Sequence, residues 1–391
     1  MSRRRRRGTR AGQGPAAPAT GPGPDTGSST GSTPATELGS SGARKSTLPP
    51  GRLGRVRAWF DRWVGRWVRA WIELWDRREP PTIQALVRIL VAIVLLSDLL
   101  QARSYGLVEA IWGPPPDGLA WGSQGPGAAA AARWFGASID TAWLLSWTAA
   151  LSAICMIAGF ATRLSVLVLA LSWAQLGYFA PDSDRGIDFM LRAVLLVLVF
   201  SHCHACWSVD AWLRRRIGRP FPAQVPAWPR YLLFAQVCWI YFSAGHNKSD
   251  KAWGPIDNFT ALANILTDPH FARFDPAWVD PFFPMLQLSA LATMVFELSA
   301  PLMILFTYWY ATRERPGRLR RISNLLRLRW LWIITGVGFH IGIALMMRLG
   351  IFPWGMMALY PVLFHPDELA RAASWLQARM PRWIAARSTP S

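Results

Sequence analysis

The chain predicts an all-α polytopic membrane helix bundle of about eight transmembrane helices, preceded by an N-terminal amphipathic helix that lies in the membrane interface. Three observations carry this. Apolar residues make up 52% of the 391, with 23 Trp, and mean hydropathy is positive despite a net charge of +19. The apolar residues gather in segments of spanning quality. The basic residues fall in short runs between those segments, where they set topology and meet anionic lipid rather than form one patch the size of a nucleic-acid groove. Nucleic acid is therefore not an expected partner. The four cysteines, Cys155, Cys203, Cys206 and Cys238, all lie in or at the ends of apolar stretches and form no secreted disulfide framework.

Taken in order, residues 1–52 read as a disordered basic tail rich in Gly, Pro and Ser, with Arg3 to Arg7 at its start and no apolar run of signal-peptide length. In residues 53–79, Trp59, Trp63, Trp67, Trp71 and Trp75 recur every four residues. Arg62, Arg66 and Arg69 take the opposite face, the pattern of a helix lying on a membrane, although such a face also suits packing on another protein. Pro80 and Pro81 end it. The transmembrane domain is expected over 80–366, with segments at 83–101, 140–160, 163–180, 187–208, 230–248, 285–310, 328–349 and 351–365, the last one short. Residues 367–391 are a tail. Arg and Lys crowd alternate sides, so both termini are expected in the cytoplasm of a cell-membrane protein, with Lys248 at the outer face. The loop 249–284 exceeds a plain connector and carries an amphipathic piece at 258–266; it is expected to hood the outer mouth.

The stretch that organises the chain is YLLFAQVCWIYFSAGHNKSDKAW, from Tyr231 to Trp253, where an apolar helix runs into a polar knot. Tyr241, Ala244, Gly245 and Lys248 fall at i, i+3, i+4 and i+7, so small residues and an ammonium share one stripe. On spacing alone, Lys248 could simply snorkel to the headgroups. Other ionisable residues inside apolar runs are Arg88, Asp98, Asp188, Arg192, Glu297, His340 and Arg348. Each costs about 2.5–3.5 kcal/mol at mid-depth if unpaired, so partners or a polar cavity are expected. Asp188 and Arg192, at i and i+4, are placed to pair on their own helix. The set reads equally as an outward polar chamber or as hydrogen bonds holding the bundle together. Cys203 and Cys206, in CHAC after His202, resemble a soft metal or redox site, but one helix turn cannot enclose a tetrahedral ion and no metal is expected.

YFSAGHNKSDKAW resembles the YFxAGxKKLDxxW segment of the vitamin K-dependent γ-carboxylases and the wider HTTM (horizontally transferred transmembrane) family. The second Lys of that motif, the base on vitamin K hydroquinone, falls on Lys248. The likeness extends through ALVRILVAIVLLSD, WSVD at Trp207 to Asp210, ELSA at Glu297 to Ala300, and the His340, Gly350, Phe352 spacing. It implies a γ-carboxylase-like membrane core, a reduced menaquinone or vitamin K-type quinol as ligand, Lys248, His340 and Glu297 as catalytic residues, and Tyr241, Gly245, His246, Asp250, Trp253, Asp188 and Arg192 around the substrate. Two departures stand out. His246 and Asn247 replace the motif's Val-Lys pair, and a carboxylase histidine falls on Ile187. The short stretch after the last segment is expected to leave no room for the lumenal domain that engages a propeptide.

Three functions from different classes fit these residues. One is an intramembrane, quinol-dependent oxidation or carboxylation in which neutral Lys248 takes a proton; desolvation between packed helices would favour that neutral form. Another is a non-catalytic accessory factor that binds a peptide or lipid, as in secreted-peptide toxin maturation. The third is a structural protein held on anionic lipid by the Trp helix and Arg tail.

Overall fold

The computed structural model describes residues 52–116, 118–120, 130–136 and 138–379. The basic tail and the last residues of the chain, 380–391, lie outside them. Contacts divide the chain between Asp61 and Arg62; in the first unit only residues 52–61, the opening turns of the first helix, are described.

The described chain is almost wholly helical. The helices are α1 (Arg52–Asp76), α2 (Thr82–Ser104), α3 (Leu107–Trp112), α4 (Ala130–Phe135), α5 (Ile139–Ala158), α6 (Thr162–Phe179), α7 (Gly186–Phe200) and α8 (Val209–Arg216). They continue with α9 (Trp228–His246), α10 (Ala261–Thr267), α11 (Phe283–Leu298), α12 (Leu302–Ala311), α13 (Arg318–Leu325), α14 (Leu328–Met346), α15 (Phe352–Leu359) and α16 (Pro366–Arg379). Two short strands, β1 (Arg78–Glu79) and β2 (Val225–Pro226), pair antiparallel.

Among the described residues three helices are long and apolar enough to cross a membrane, α2, α5 and α14; α11 and α12, bent by 61° at a short break, make a fourth if taken as one span. The predicted segment 285–310 is thus not one continuous helix. Pro301 cannot donate to the preceding turn, and the chain turns there. The predicted segment 187–208 likewise ends as helix at Phe200, and the rest is a turned loop. The other predicted segments fall on α6, α7, α9 and α15.

α2 is the central helix. Ile83, Val87, Val91, Leu95 and Leu99 are fully buried along it, and it packs against α5, α7, α9 and α15. An arginine sits in this apolar helix with both terminal nitrogens of its guanidinium donating: Arg88 Nη1 to the Cys203 carbonyl at 2.9 Å and Nη2 to the Trp207 carbonyl at 2.5 Å, while Nε has no partner among the described residues. The WSVD segment is thereby tied to α2. Ser208 caps α8, and Asp210 accepts from the Ala161 and Thr162 N–H groups, which caps α6. Gly159, at φ +69°, makes room: a Cβ there would stand 2.3 Å from Ser208 Cβ.

Two ion pairs staple this end of the bundle. Arg230 Nε lies 2.7 Å from Glu79 Oε2, both side chains nearly inaccessible. Burial pushes the Glu79 carboxyl up and Arg230 beside it pulls it down. Arg329 pairs with Glu368 and donates to the Leu363 carbonyl at 2.7 Å. The opposite end is held by Arg185, which bridges Asp98 of α2 (2.6 Å) and Asp188 of α7 (2.9 Å). Arg192 pairs with Asp184 at 2.6 Å. The expected Asp188–Arg192 pair is therefore corrected. Asp188 sits in the first turn of α7, where its carboxylate accepts from the Arg185 N–H as a cap, and this draws it away from the following turn. Arg192 instead lies against Gly177 of α6, where a Cβ would stand 2.5 Å from Nη1.

Candidate functional site

α9 carries the site. Pro229 opens it, the stretch from Leu232 to Ile240, apolar but for Gln236, supplies its length, and Asn247 follows its end. Tyr241, Gly245 and Lys248 face α11 and the core. A Cβ on Gly245 would lie 2.9 Å from Glu297 Cβ and 3.2 Å from the Leu298 backbone N, so only glycine lets α9 and α11 come this close. The approach brings Lys248 Nζ to 2.5 Å from Glu297 Oε2. Glu297 is buried, with 5% of its side chain accessible, whereas Lys248 keeps 20%. Trp253 closes over the ammonium, its ring centroid 5.0 Å from Nζ.

About two turns back from Lys248, the Tyr241 hydroxyl meets His340 Nε2 at 2.5 Å and the Tyr360 hydroxyl at 2.7 Å. His340 is fully buried, and its Nδ1 has no partner among the described residues. Phe296 and Trp332 pack around Tyr241. Gly336 leaves space for Tyr360, whose hydroxyl would lie 2.1 Å from a Cβ there.

A cavity of about 830 Å³ opens on the other side of α9. Ile240, Ala244 and Asn247 supply its α9 wall, Ile187 and Met190 of α7 the facing one, and Phe352 and Met356 of α15 the third. Arg185 and Arg348 stand at its polar part. The wall is otherwise largely apolar, which suits a lipid-soluble ring, and Phe352 separates it from His340 with ring centroids 5.7 Å apart.

The predicted site residues thus divide. Lys248, Glu297, Gly245 and Trp253 meet at one point; Tyr241 and His340 meet at a second. Asp188 and Arg192 lie in the ion pairs at the start of α7 and do not line the cavity. His246 is exposed and stacks on Phe242, and Asp250 caps the short helical turn that follows. The supposed stripe is split, because Ala244 turns to the cavity while its neighbours turn to α11. Of the loop 249–284, α10 packs on α11, and Arg273 and Phe271 hydrogen-bond to the 346–348 backbone. The helix in it begins at Ala261 rather than 258, since Asn258 and Phe259 both adopt positive φ. No group of three or more His, Cys, Asp and Glu side chains placed to hold a metal occurs among the described residues.

Sequence reasoning overlooked Arg185 and Tyr360. Arg185 lies in a polar connector beside the capping aspartate, and its one signal was that position, three residues before Asp188. Tyr360 carried a hydroxyl in an apolar segment, which needs a partner when buried.

The model of one protein family, the HTTM domain, matches residues 77–314. The match takes in Lys248 and Glu297 and stops before His340. No solved structure matches the chain.

Proposed function

Because the chain belongs to the HTTM domain family, membrane proteins related to the core of the γ-carboxylases, we propose that it admits a lipid-soluble quinol to the cavity beside α9 and oxidises it with Lys248 as base. One observation carries the reading: where α9 ends, Ala244 and Asn247 line the cavity and the next residue, Lys248, pairs with Glu297 of α11. A hydroquinone, when bound, supplies an acidic O–H and two electrons for O2. The apolar walls of the cavity and the unpaired His340 Nδ1 behind Phe352 suit such a ring. Glu297 is the acceptor that can take the ammonium proton and leave Lys248 as the free amine a base requires. Tyr241 and Tyr360 hold His340 in one orientation. Trp253 shields Nζ from water.

Successive apolar helices run back and forth between the two stapled ends, which supports eight passages over residues 80–366 with both termini cytoplasmic and Lys248 on the outer side. α1 then lies in the interface, where the rings of Trp67 and Trp71, both largely exposed, meet headgroups and anionic lipid.

The test is menaquinol or vitamin K hydroquinone oxidation by the purified protein in lipid. Turnover lost in Lys248→Ala, with the fold retained, supports the base; turnover unchanged removes it. A second reading, a non-catalytic factor that binds a peptide or lipid in the same cavity, is favoured by Lys248 itself, which pairs with Glu297 and does not line the cavity. Ligand binding without turnover in either protein would select it.

A further inference from the structure

Between α12 and α14 the chain from 311 to 329 holds seven arginines against one acid, Glu314. Several of these charges are already used. Arg329 pairs with Glu368, Arg313 with Glu314, and Arg320 donates to Thr312 Oγ1, the Arg315 carbonyl and the Pro316 carbonyl. Arg320 and Asn324, whose amide donates to the Trp309 carbonyl, clamp one side of α13 to α12, and Ser323 is buried between them. Orientation is therefore set by polar bonds, independent of the residues that face away.

Two sectors face away. Leu319, Ile322 and Leu325, at i, i+3 and i+6, are exposed by 66%, 49% and 77%, and Leu326 extends the row. Beside them Arg318 and Arg321, one turn apart, are exposed and have no carboxylate partner among the described residues. An apolar ridge with a cationic ridge alongside is the cross-section of a helix at the boundary between acyl chains and headgroups. α8 repeats it at the same end of the bundle, with Arg214 to Arg216 beside exposed Trp212 and Ile217. Both helices adjoin ends held by the staples at Gln84–Pro226 and Arg329–Glu368.

We propose that α13 is a docking ridge for anionic phospholipid, with Leu319, Ile322 and Leu325 at the acyl boundary and Arg318 and Arg321 on the phosphates. Charge complementarity selects the occupant. A cationic pair without internal acids has its counter-charge in a phosphate layer, and the fixed clamp holds both ridges at one depth. This inference does not involve Lys248, the cavity or turnover, so it stands or falls separately from the quinol reading.

The experiment uses the full chain in nanodiscs of phosphatidylcholine alone or with phosphatidylglycerol. It reads the melting temperature and, by mass spectrometry, the phosphatidylglycerol that stays with the protein through delipidation. The wild type is expected to melt higher with phosphatidylglycerol and to retain it at least twofold over Arg318→Gln/Arg321→Gln, the two proteins melting alike in phosphatidylcholine. Equal retention would overturn the proposal. Inorganic phosphate added to phosphatidylcholine discs is expected to leave the melt unchanged; if it reproduces the shift, the site takes a free anion and the proposal fails. A photocrosslinker placed at Leu325 in whole membranes, with both arginines intact, gives a reading that does not depend on how the double variant folds. Adducts to phospholipid support the ridge, and adducts to a protein assign it to a partner and overturn it.

Discussion

Gly245 and Glu297 lie so close across the α9–α11 contact that a Cβ on the glycine would stand 2.9 Å from that of the glutamate, and it is this approach that delivers the carboxylate to Lys248. Gly245→Ala must push the helices apart or shift Leu298. A loss of about 1–3 kcal/mol is expected from overpacking, read as a lower melting temperature in detergent. If the proposed quinol chemistry holds, turnover should fall with it, because the pair would be misaligned.

Breaking the pair from its two sides should not cost the same. Lys248→Met leaves Glu297 nearly inaccessible and without its counter-charge, whereas Glu297→Gln leaves an ammonium that is 20% accessible and can turn to water. The lysine change is expected to destabilise more, toward the 3–5 kcal/mol typical of an orphaned buried charge, and the double variant less than the sum. Equal single losses that add in the double variant would refute the coupling.

Ion pairing at the start of α7 makes a sharp distinction. A double-mutant cycle on Arg185 and Asp98 should give a coupling of at least about 0.5 kcal/mol, and one on Arg192 and Asp184 likewise. The cycle on Asp188 and Arg192 should give close to none. Chemical denaturation of the reconstituted protein measures all three.

Tyr241→Phe removes a hydroxyl that meets both His340 and Tyr360. It leaves two buried polar groups short of a partner, so a cost of about 1–3 kcal/mol is expected. Tyr360→Phe removes one contact and should cost less. A reversed order in thermal melts would place the weight of the network on Tyr360.

The helices themselves were legible because their signal is local. An apolar run has the same length whatever surrounds it, so α2, α5, α9 and α14 stand where hydropathy puts them. The Trp repeat of α1 and the proline stop after it are also local, and the HTTM likeness rests on short motifs read in order. The break at Pro301 could have been read from the proline, but apolar residues on both sides masked it. Pairings were harder. Asp188 and Arg192 satisfy the i, i+4 rule, and each still found another partner, since Arg185 and Asp184 come from a polar connector that hydropathy passes over. Arg88 bonds to carbonyls more than a hundred residues away, which no spacing announces.

Composition, hydropathy and motif order by themselves determined that this is a helical membrane protein of the HTTM family and that Lys248 lies in the polar segment where its defining helix stops. Tertiary structure alone decided what Lys248 touches, which face of α9 meets the cavity, and that Tyr241, His340 and Tyr360 share one hydrogen-bonded chain. The physical reason is one of range. Burial of an apolar run is favourable against almost any neighbour, whereas a buried charge or hydroxyl needs one particular group within about 3 Å, and which group arrives there depends on how every helix packs.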